Sequence, residues 1–105
     1  MDLNDAAETE RLRSLWAAHA AERFPSAVDK GEAAGADLVM LDADLAGVIL
    51  SVLGARRPPN IGQQRVLRDC IDELDRIQVA EPAQPYFSRL REMADLALLT
   101  AGHRR

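Results

Sequence analysis

The sequence predicts an all-α fold: a compact, mainly antiparallel four-helix bundle that forms a single domain over residues 1–105. Apolar residues recur at spacings of three and four in four separate segments, which is the period of one helix face. Proline, glycine and small polar residues separate these segments, and the strict alternation that marks a strand is absent. The predicted helices span residues 4–24, 37–53, 63–80 and 83–101. Because the first two connections are long, they do not force neighbouring helices into regular antiparallel packing, and an irregular bundle is possible.

The first helix is predicted to begin at Asn4 and to end before Pro25. An asparagine side chain accepts hydrogen bonds from the free N–H groups of a first helical turn. The residue before a proline avoids the helical region of backbone space. Between these limits Leu12, Leu15 and Trp16 form one apolar stripe, which predicts the face that packs on the bundle.

The second helix is predicted to start with Asp37 as its cap and to end at Gly54. Its apolar residues cover more than half of the helical circumference, and Val39 and Leu50 widen that arc further. A helix that is apolar over most of its surface is usually surrounded by protein. The second helix is therefore predicted to be the central and most buried one.

The third helix follows a break at Pro58 and Pro59, and the fourth is predicted to stop at Gly102. One side of the third helix carries opposite charges four residues apart, a spacing that favours ion pairs along a helix. The predicted pairs are Arg65–Asp69, Arg68–Asp72 and Asp72–Arg76.

The composition predicts a cytoplasmic protein without a nucleic-acid or membrane partner. The formal net charge is −4, whereas binders of nucleic acids or anionic membranes need a positive field. The first ten residues are acidic and polar, unlike a signal peptide. The longest apolar run, Leu38–Leu53, is interrupted by Asp42 and Asp44 and is shorter than a membrane span of about 20 residues. The preference for Ala, Arg, Asp and Gly hints at a bacterial genome of high GC content.

No metal or other cofactor is predicted. Cys70 is the only cysteine, which excludes an internal disulfide and a cluster of cysteine ligands, and its position predicts a small buried side chain. A metal site can be imagined from four side chains that ligate metals in other proteins, Glu8, His19, Asp42 and Asp44. The chain nevertheless lacks the Glu-x-x-His, His-x-x-x-His and EF-hand spacings that metal sites on helices use.

A buried polar group is predicted where the first two helices meet. Asp42 falls inside the apolar arc of the second helix, and His19 and Arg23 lie within the apolar stripe of the first. A carboxylate in such a place needs partners, so Asp42 should meet His19, Arg23 or the Trp16 indole N–H. The favoured interpretation is a structural pair that fixes how the helices pack. The alternative is a small enzyme with a His19–Asp42 acid–base site, but no nucleophile has a place beside it, and no catalytic residue is assigned.

An anion-binding site is a second candidate. Arg56, Arg57, Arg65 and Arg68 gather around the start of the third helix, where free backbone N–H groups attract phosphate or carboxylate. The protein would then bind a small anionic ligand. The simpler interpretation is that these arginines serve solubility and pairing within the chain.

The favoured function is a non-enzymatic helical module for self-association, as a homodimer, or for binding another protein. Leu96 and Leu99 lie on the side of the fourth helix that faces away from its inward residues, so its C-terminal half is apolar nearly all round. Exposed apolar patches mark association surfaces. Arg89 and Arg91 are predicted to lie at the edge of this interface and to set the orientation of the partner.

Overall fold

The computed structural model describes residues 3–23, 33–76 and 83–102. Within these ranges it contains four helices and no strand: α1 (Leu3–Ala20), α2 (Ala33–Ala55), α3 (Ile61–Arg76) and α4 (Gln84–Gly102). The helices pack into a compact bundle, so the predicted all-α fold is confirmed. One continuous core receives side chains from all four helices, and its largest fully buried members are Leu12, Leu45, Ile49, Leu67, Leu90 and Met93.

Helices α2 and α3 show the antiparallel arrangement most clearly. Near the end of α2, the Ser51 hydroxyl accepts a hydrogen bond of 3.0 Å from the Gln63 side chain near the start of α3. Toward the other ends of the two helices, Met40 and Glu73 line the same shallow surface groove. The chain thus turns back on itself between α2 and α3, and the two prolines in that connection prevent one helix from continuing through it.

The central helix is α4, whereas the sequence predicted α2. Helices α1, α2 and α3 all pack on α4, while α1 and α2 touch each other only over a short stretch. Leu90, Met93, Ala94 and Ala97 of α4 are completely buried. The prediction was wrong because the width of an apolar arc does not show how much of the arc other helices cover. Part of the apolar arc of α2 faces solvent.

The ends of α1 and α2 differ from the predicted ends. Helix α1 begins at Leu3, with Asn4 inside it, and ends at Ala20, where the Glu22 N–H donates to the His19 carbonyl. The residues that follow Ala20 are exposed as far as position 23, so a longer helix would bury nothing more there. Helix α2 already begins at Ala33, so Asp37 is not its cap. Pro25 lies outside the described residues.

Helix α2 ends one residue after Gly54, and Arg56 takes the left-handed backbone conformation that follows many helices, with φ of 55°. Glycine usually occupies such a position, because a side chain there costs about 1–2 kcal/mol. The following Pro58 and Pro59 oblige the helix to stop close to this point. Gly54 therefore lies inside α2, and the prediction that it ends the helix was wrong.

Helix α3 begins earlier than predicted because Asn60 caps it. The Asn60 Oδ1 accepts from the Gln63 N–H at 2.8 Å, and the Gln63 Oε1 accepts from the Asn60 N–H at 2.9 Å. This reciprocal arrangement is a capping box, readable in the sequence as Asn-x-x-Gln. It fixes Ile61 as the first helical residue.

Charged residues on α3 pair differently from the prediction. None of the three predicted i,i+4 pairs forms within the described part of the chain. Instead Arg76 binds Glu73 at 2.8 Å, and Asp75 binds Arg91 of α4. Exposed pairs of this kind gain little free energy, so an interhelical partner with better geometry competes easily with one on the same helix.

Candidate functional site

A polar cluster of His19, Asp42 and Tyr86 joins α1, α2 and α4. The His19 Nε2 lies 2.9 Å from the Asp42 Oδ1, and the Tyr86 hydroxyl donates to the Asp42 Oδ2 at 2.7 Å. The side chains of His19 and Asp42 are 5% and 19% exposed, and Tyr86 is buried. The structure thus brings His19 and Asp42 together but leaves Arg23 exposed, three residues beyond the end of α1, where it does not pair with Asp42.

Asp42 is ionised in this cluster. Burial alone would raise the pKa of Asp42, but the hydrogen bonds from His19 and Tyr86 and the charge of His19 together hold it below its ordinary value. Because a carboxylate only accepts hydrogen bonds, the hydrogen of the shared His19 bond sits on Nε2. The other ring nitrogen, Nδ1, is buried without a hydrogen-bond partner. Burial and the bond to Asp42 raise the pKa of Tyr86, which keeps its phenol neutral and donating.

Aromatic rings and one arginine enclose the cluster. The His19 ring lies 4.6 Å from the Tyr86 ring and 5.8 Å from the Trp16 ring, measured between centroids. The Arg89 guanidinium sits over the Tyr86 ring at 5.7 Å, a distance at which a cation attracts an aromatic face. These contacts fix both donors around Asp42, so the cluster is well suited to setting how α1, α2 and α4 pack.

An open groove of about 440 Å³ runs along the cluster between the end of α1 and α2. Its walls are mostly apolar, with Trp16 on one side and Val39, Ala43 and Ala46 on the other. Asp42 reaches the groove, and acid–base chemistry with His19 is possible there in principle. No serine, threonine, cysteine or lysine among the described residues lines the groove, so it offers no such nucleophile for covalent catalysis.

Tyr86 is the member of the cluster that sequence reasoning missed. Its helical spacing with Leu90 and Met93 predicts an inward position on α4, but not a role toward Asp42. Two signals were present in the sequence. A buried tyrosine hydroxyl needs a polar partner, and a carboxylate in an apolar arc needs donors. What the sequence does not give is the angle at which α4 presents Tyr86 to α2.

The four arginines of the predicted anion site are all exposed. Arg56, Arg57, Arg65 and Arg68 form no ion pair within the part of the chain that the structure describes. The Asn60 side chain already accepts one of the free N–H groups of the first α3 turn. This end of α3 therefore has fewer free donors for an anion than the sequence suggested.

Cys70 is buried, as predicted, and its thiol is poorly suited to reaction. Burial, with the nearby carboxylates of Asp44, Asp69 and Glu73, raises the pKa of the Cys70 thiol to about 11. A thiol with so high a pKa is a weak nucleophile at neutral pH. Among the described residues, no group of three His, Cys, Asp or Glu side chains lies close enough to hold a metal ion.

The predicted interface leucines of α4 differ in exposure. Leu96 is partly buried and packs against the core, whereas Leu99 is 45% exposed. Asp95 is exposed one turn before Leu99, so a carboxylate borders this leucine. Helix α4 consequently presents one exposed leucine here instead of a broad apolar patch.

The two predicted interface arginines hold α4 to its neighbours. Arg89 binds Glu22 just beyond the end of α1, at 2.5 Å. Arg91 binds Asp75 of α3 at 2.8 Å and also pairs with Asp95 on its own helix. The guanidinium groups of Arg89 and Arg91 therefore both have carboxylate partners within the chain.

Among the described residues, three of the five exposed large apolar side chains lie on α2, and the other two, Ile61 and Leu99, lie on separate helices. We call the surface that carries these three the outward face of α2 and define it as Val39, Met40, Ala43, Ala46, Gly47, Leu50 and Gly54. At 100° per residue these positions cover an arc of about 120°, and none of them is charged. Val39, Met40 and Leu50 are 40%, 63% and 53% exposed. Sequence reasoning placed Val39 and Leu50 in the wide apolar arc of the helix predicted to be most buried, and did not single out this surface for association.

The apolar stretch of α2 extends to Ala55, beyond the Leu38–Leu53 run identified in the sequence. With a mean hydropathy of 1.9 over Leu38–Ala55, it is long and apolar enough to cross a membrane, so the expectation that it is too short was wrong. Core helices of water-soluble proteins meet the same criterion, so the length and composition of α2 alone do not decide its surroundings. Asp42 and Asp44 lie within this stretch, and α2 carries no basic residue. Helices that lie on membrane surfaces are typically rich in lysine and arginine.

No protein-family model matches the chain, and searches of curated proteins and of solved structures find no match either. A helical bundle by itself does not indicate a function, because unrelated functions recur on the same fold. A function for this chain is therefore inferred from its own side chains and surfaces.

Proposed function

We propose that this protein is a non-enzymatic helical module that associates with itself through the outward face of α2. The observation that carries the proposal is the exposure of Val39, Met40 and Leu50 on one uncharged stripe of a single helix. Isolated exposed apolar residues are normal on soluble proteins. A contiguous apolar patch bordered by polar residues is typical of an association surface, and here Asp44 and Ser51 form one border.

The other exposed helix faces differ in charge from this one. The exposed side of α3 is mostly charged, with Arg65, Arg68, Asp69 and Asp72 among its residues. Charges of this kind are depleted from the centres of protein interfaces, because removing them from water costs free energy. The outward face of α2 has no such charge to desolvate.

The same surface is a better candidate than the end of α4. Leu99 stands alone beside Asp95, and Leu96 already belongs to the core. Fully burying a leucine, valine or methionine gains about 1.5–3 kcal/mol. Three such residues that are about half exposed supply roughly 3 kcal/mol from each copy on that scale. Association costs at least about 4 kcal/mol in lost translational and rotational freedom, so we expect a weak association that depends on protein concentration.

The two alternative functions have less support. The groove beside the His19–Asp42 pair has no serine, threonine, cysteine or lysine nucleophile among its described lining residues. The arginines near α3 are exposed and dispersed over a connection and a helix, and the Asn60 side chain occupies part of the helix N-terminus. Both functions stay predictions.

Sedimentation velocity over a concentration series tests the proposal. The unmodified chain should sediment faster as its concentration rises, and Leu50→Asp should remain a monomer because the new carboxylate would lose water in the contact. Leu99→Asp is the matched control, since it makes the same change at a leucine of similar exposure on α4. Circular dichroism verifies that both variants keep their helices.

Two outcomes would contradict the proposal. One is an unmodified chain that stays monomeric throughout the series. The other is a dimer that Leu99→Asp dissociates and Leu50→Asp leaves intact, which would place the contact at the C-terminal half of α4.

A further inference from the structure

We infer that two copies of the chain pair through α2 in antiparallel orientation, about a twofold axis that passes between Ala46 and Gly47. The inference rests on the proposed self-association and adds its partner, orientation and register. The observation behind it is the order of large and small residues along the outward face of α2, which is complementary to its own reverse.

The register follows from counting outward from the axis. In an antiparallel pair, each residue before the axis faces the residue equally far after it. Leu50 lies three positions after Gly47, and Ala43 lies three positions before Ala46, so these two face each other. Val39 and Gly54 each lie seven positions out and also face each other. Leu50 and Val39 therefore each meet a small residue on the other copy, whereas Met40 lies at the edge of the face.

A parallel pair in register would match each residue with itself. Leu50 would then face Leu50 and hold the helices apart, while Gly54 would face Gly54 across a gap. Overpacking and unfilled space are both destabilising in a close contact. A shifted parallel pair is not symmetric, whereas most dimers are closed by a twofold axis. The antiparallel arrangement also places opposite ends of the two helix dipoles side by side.

The glycines of α2 give a second, independent observation. A Cβ atom added at Gly47 or Gly54 would meet nothing within 4 Å, so packing within one chain does not require glycine at either position. Glycine inside a helix is about 1 kcal/mol less favourable than alanine. Both lie on the outward face, where a missing side chain permits close approach of another helix. The small residues thus suit a neighbour from outside the chain.

Charge supports a second copy of this chain over a lipid surface. The outward face is uncharged, so one copy meets the other without burying an unpaired ion. Asp44 lies at the border of the face, where the carboxylates of both copies stay in water. A membrane-surface helix would need basic residues near lipid headgroups, and α2 has none.

Single-cysteine cross-linking tests the register. In a Cys70→Ser background, one cysteine is introduced at a time, at Ala46, Met40 or Gly54, and the protein is oxidised at a concentration where it associates. Ala46→Cys should form a disulfide-linked dimer, because only residues beside the axis face their own counterparts. Met40→Cys and Gly54→Cys should not, since Met40 lies about 20 Å along the helix from Met40 of the other copy. A mixture of Val39→Cys and Gly54→Cys should form a linked heterodimer.

The possible failures are distinguishable. Cross-linking of Met40→Cys and Gly54→Cys with themselves would show a parallel pair and overturn the register. An associating protein in which Ala46→Cys does not cross-link would also overturn it, although self-association itself would stand. A monomeric unmodified chain would refute the proposed function together with the register. Flotation of the protein with vesicles of phosphatidylcholine and phosphatidylglycerol, without cross-linking of Ala46→Cys, would assign the surface to lipid instead.

Discussion

Replacing Asp42 with alanine is expected to lower the free energy of unfolding by about 2–4 kcal/mol. The change removes the carboxylate that accepts hydrogen bonds from both His19 and Tyr86. Those two side chains are 5% and 4% exposed, so water replaces the lost acceptor poorly. Urea denaturation followed by circular dichroism measures the loss, at a low protein concentration that keeps association out of the equilibrium.

Asp44→Ala is the matched control for this prediction. Asp44 lies on the same helix, is exposed, and forms no hydrogen bond or ion pair among the described residues. Its replacement should change the free energy of unfolding by less than about 0.5 kcal/mol. If Asp42→Ala and Asp44→Ala lower the free energy of unfolding equally, the polar cluster contributes no more stability than an exposed carboxylate does.

The stability difference between the parent and Asp42→Ala should also depend on pH. Because the pKa of Asp42 is lowered in the folded chain, its contribution is complete above the unfolded-state value of about 3.9. It is lost as the pH falls through the lower folded-state pKa. The difference should therefore be largest near neutral pH and should shrink as the pH falls from the unfolded-state value through the folded-state pKa.

The second large effect is expected at Leu45, which is completely buried in the middle of α2. Leu45→Ala removes atoms from the core and leaves a cavity that the neighbouring helices fill only in part. A buried leucine truncated in this way destabilises a protein by about 2–5 kcal/mol. The same urea titration should show a lower midpoint with little change in its slope.

Leu50→Ala makes the same truncation on the opposite side of α2, where the side chain is 53% exposed. We expect it to change monomer stability by less than about 1 kcal/mol, because little core packing is lost. A loss as large as that of Leu45→Ala would mean that α2 is rotated about its axis and that its outward face is covered.

The sequence predicted the number of helices better than it predicted which of their faces are buried. Helical periodicity and the two prolines sufficed for four helices and for the break before α3, because both are local properties of the chain. Helix ends were less predictable. Asp37 was expected to cap α2, but the helix extends back to Ala33. An aspartate inside a helix costs less than about 1 kcal/mol relative to alanine, so a cap residue alone does not force a helix to start there.

The polar cluster was partly predictable for a different reason. An ionised side chain in an apolar arc demands partners, and this requirement alone places Asp42 near His19. The third member, Tyr86, depends on how α4 is rotated and where it crosses α2. Those quantities come from the packing of the whole core, which no single helix encodes.

The exposed surface was the least predictable feature. A helical wheel shows that α2 is apolar over most of its circumference, but not which part the other helices cover. Three helices share α4 as their common neighbour, so α2 buries one side and leaves Val39, Met40 and Leu50 outside. The predicted association surface was the C-terminal half of α4, whereas more of the exposed large apolar side chains lie on α2.

The most direct test of self-association through α2 is the NMR signal of the Met40 methyl group, observed in protein labelled with ¹³C at the methionine methyls. Met40 is 63% exposed on the outward face, and Met93 is completely buried in the core, so one spectrum contains both probe and control. Between about 10 μM and about 1 mM protein, we predict that the Met40 signal shifts or broadens while the Met93 signal stays in place. A Met40 signal that is unchanged over this range would contradict the proposed association.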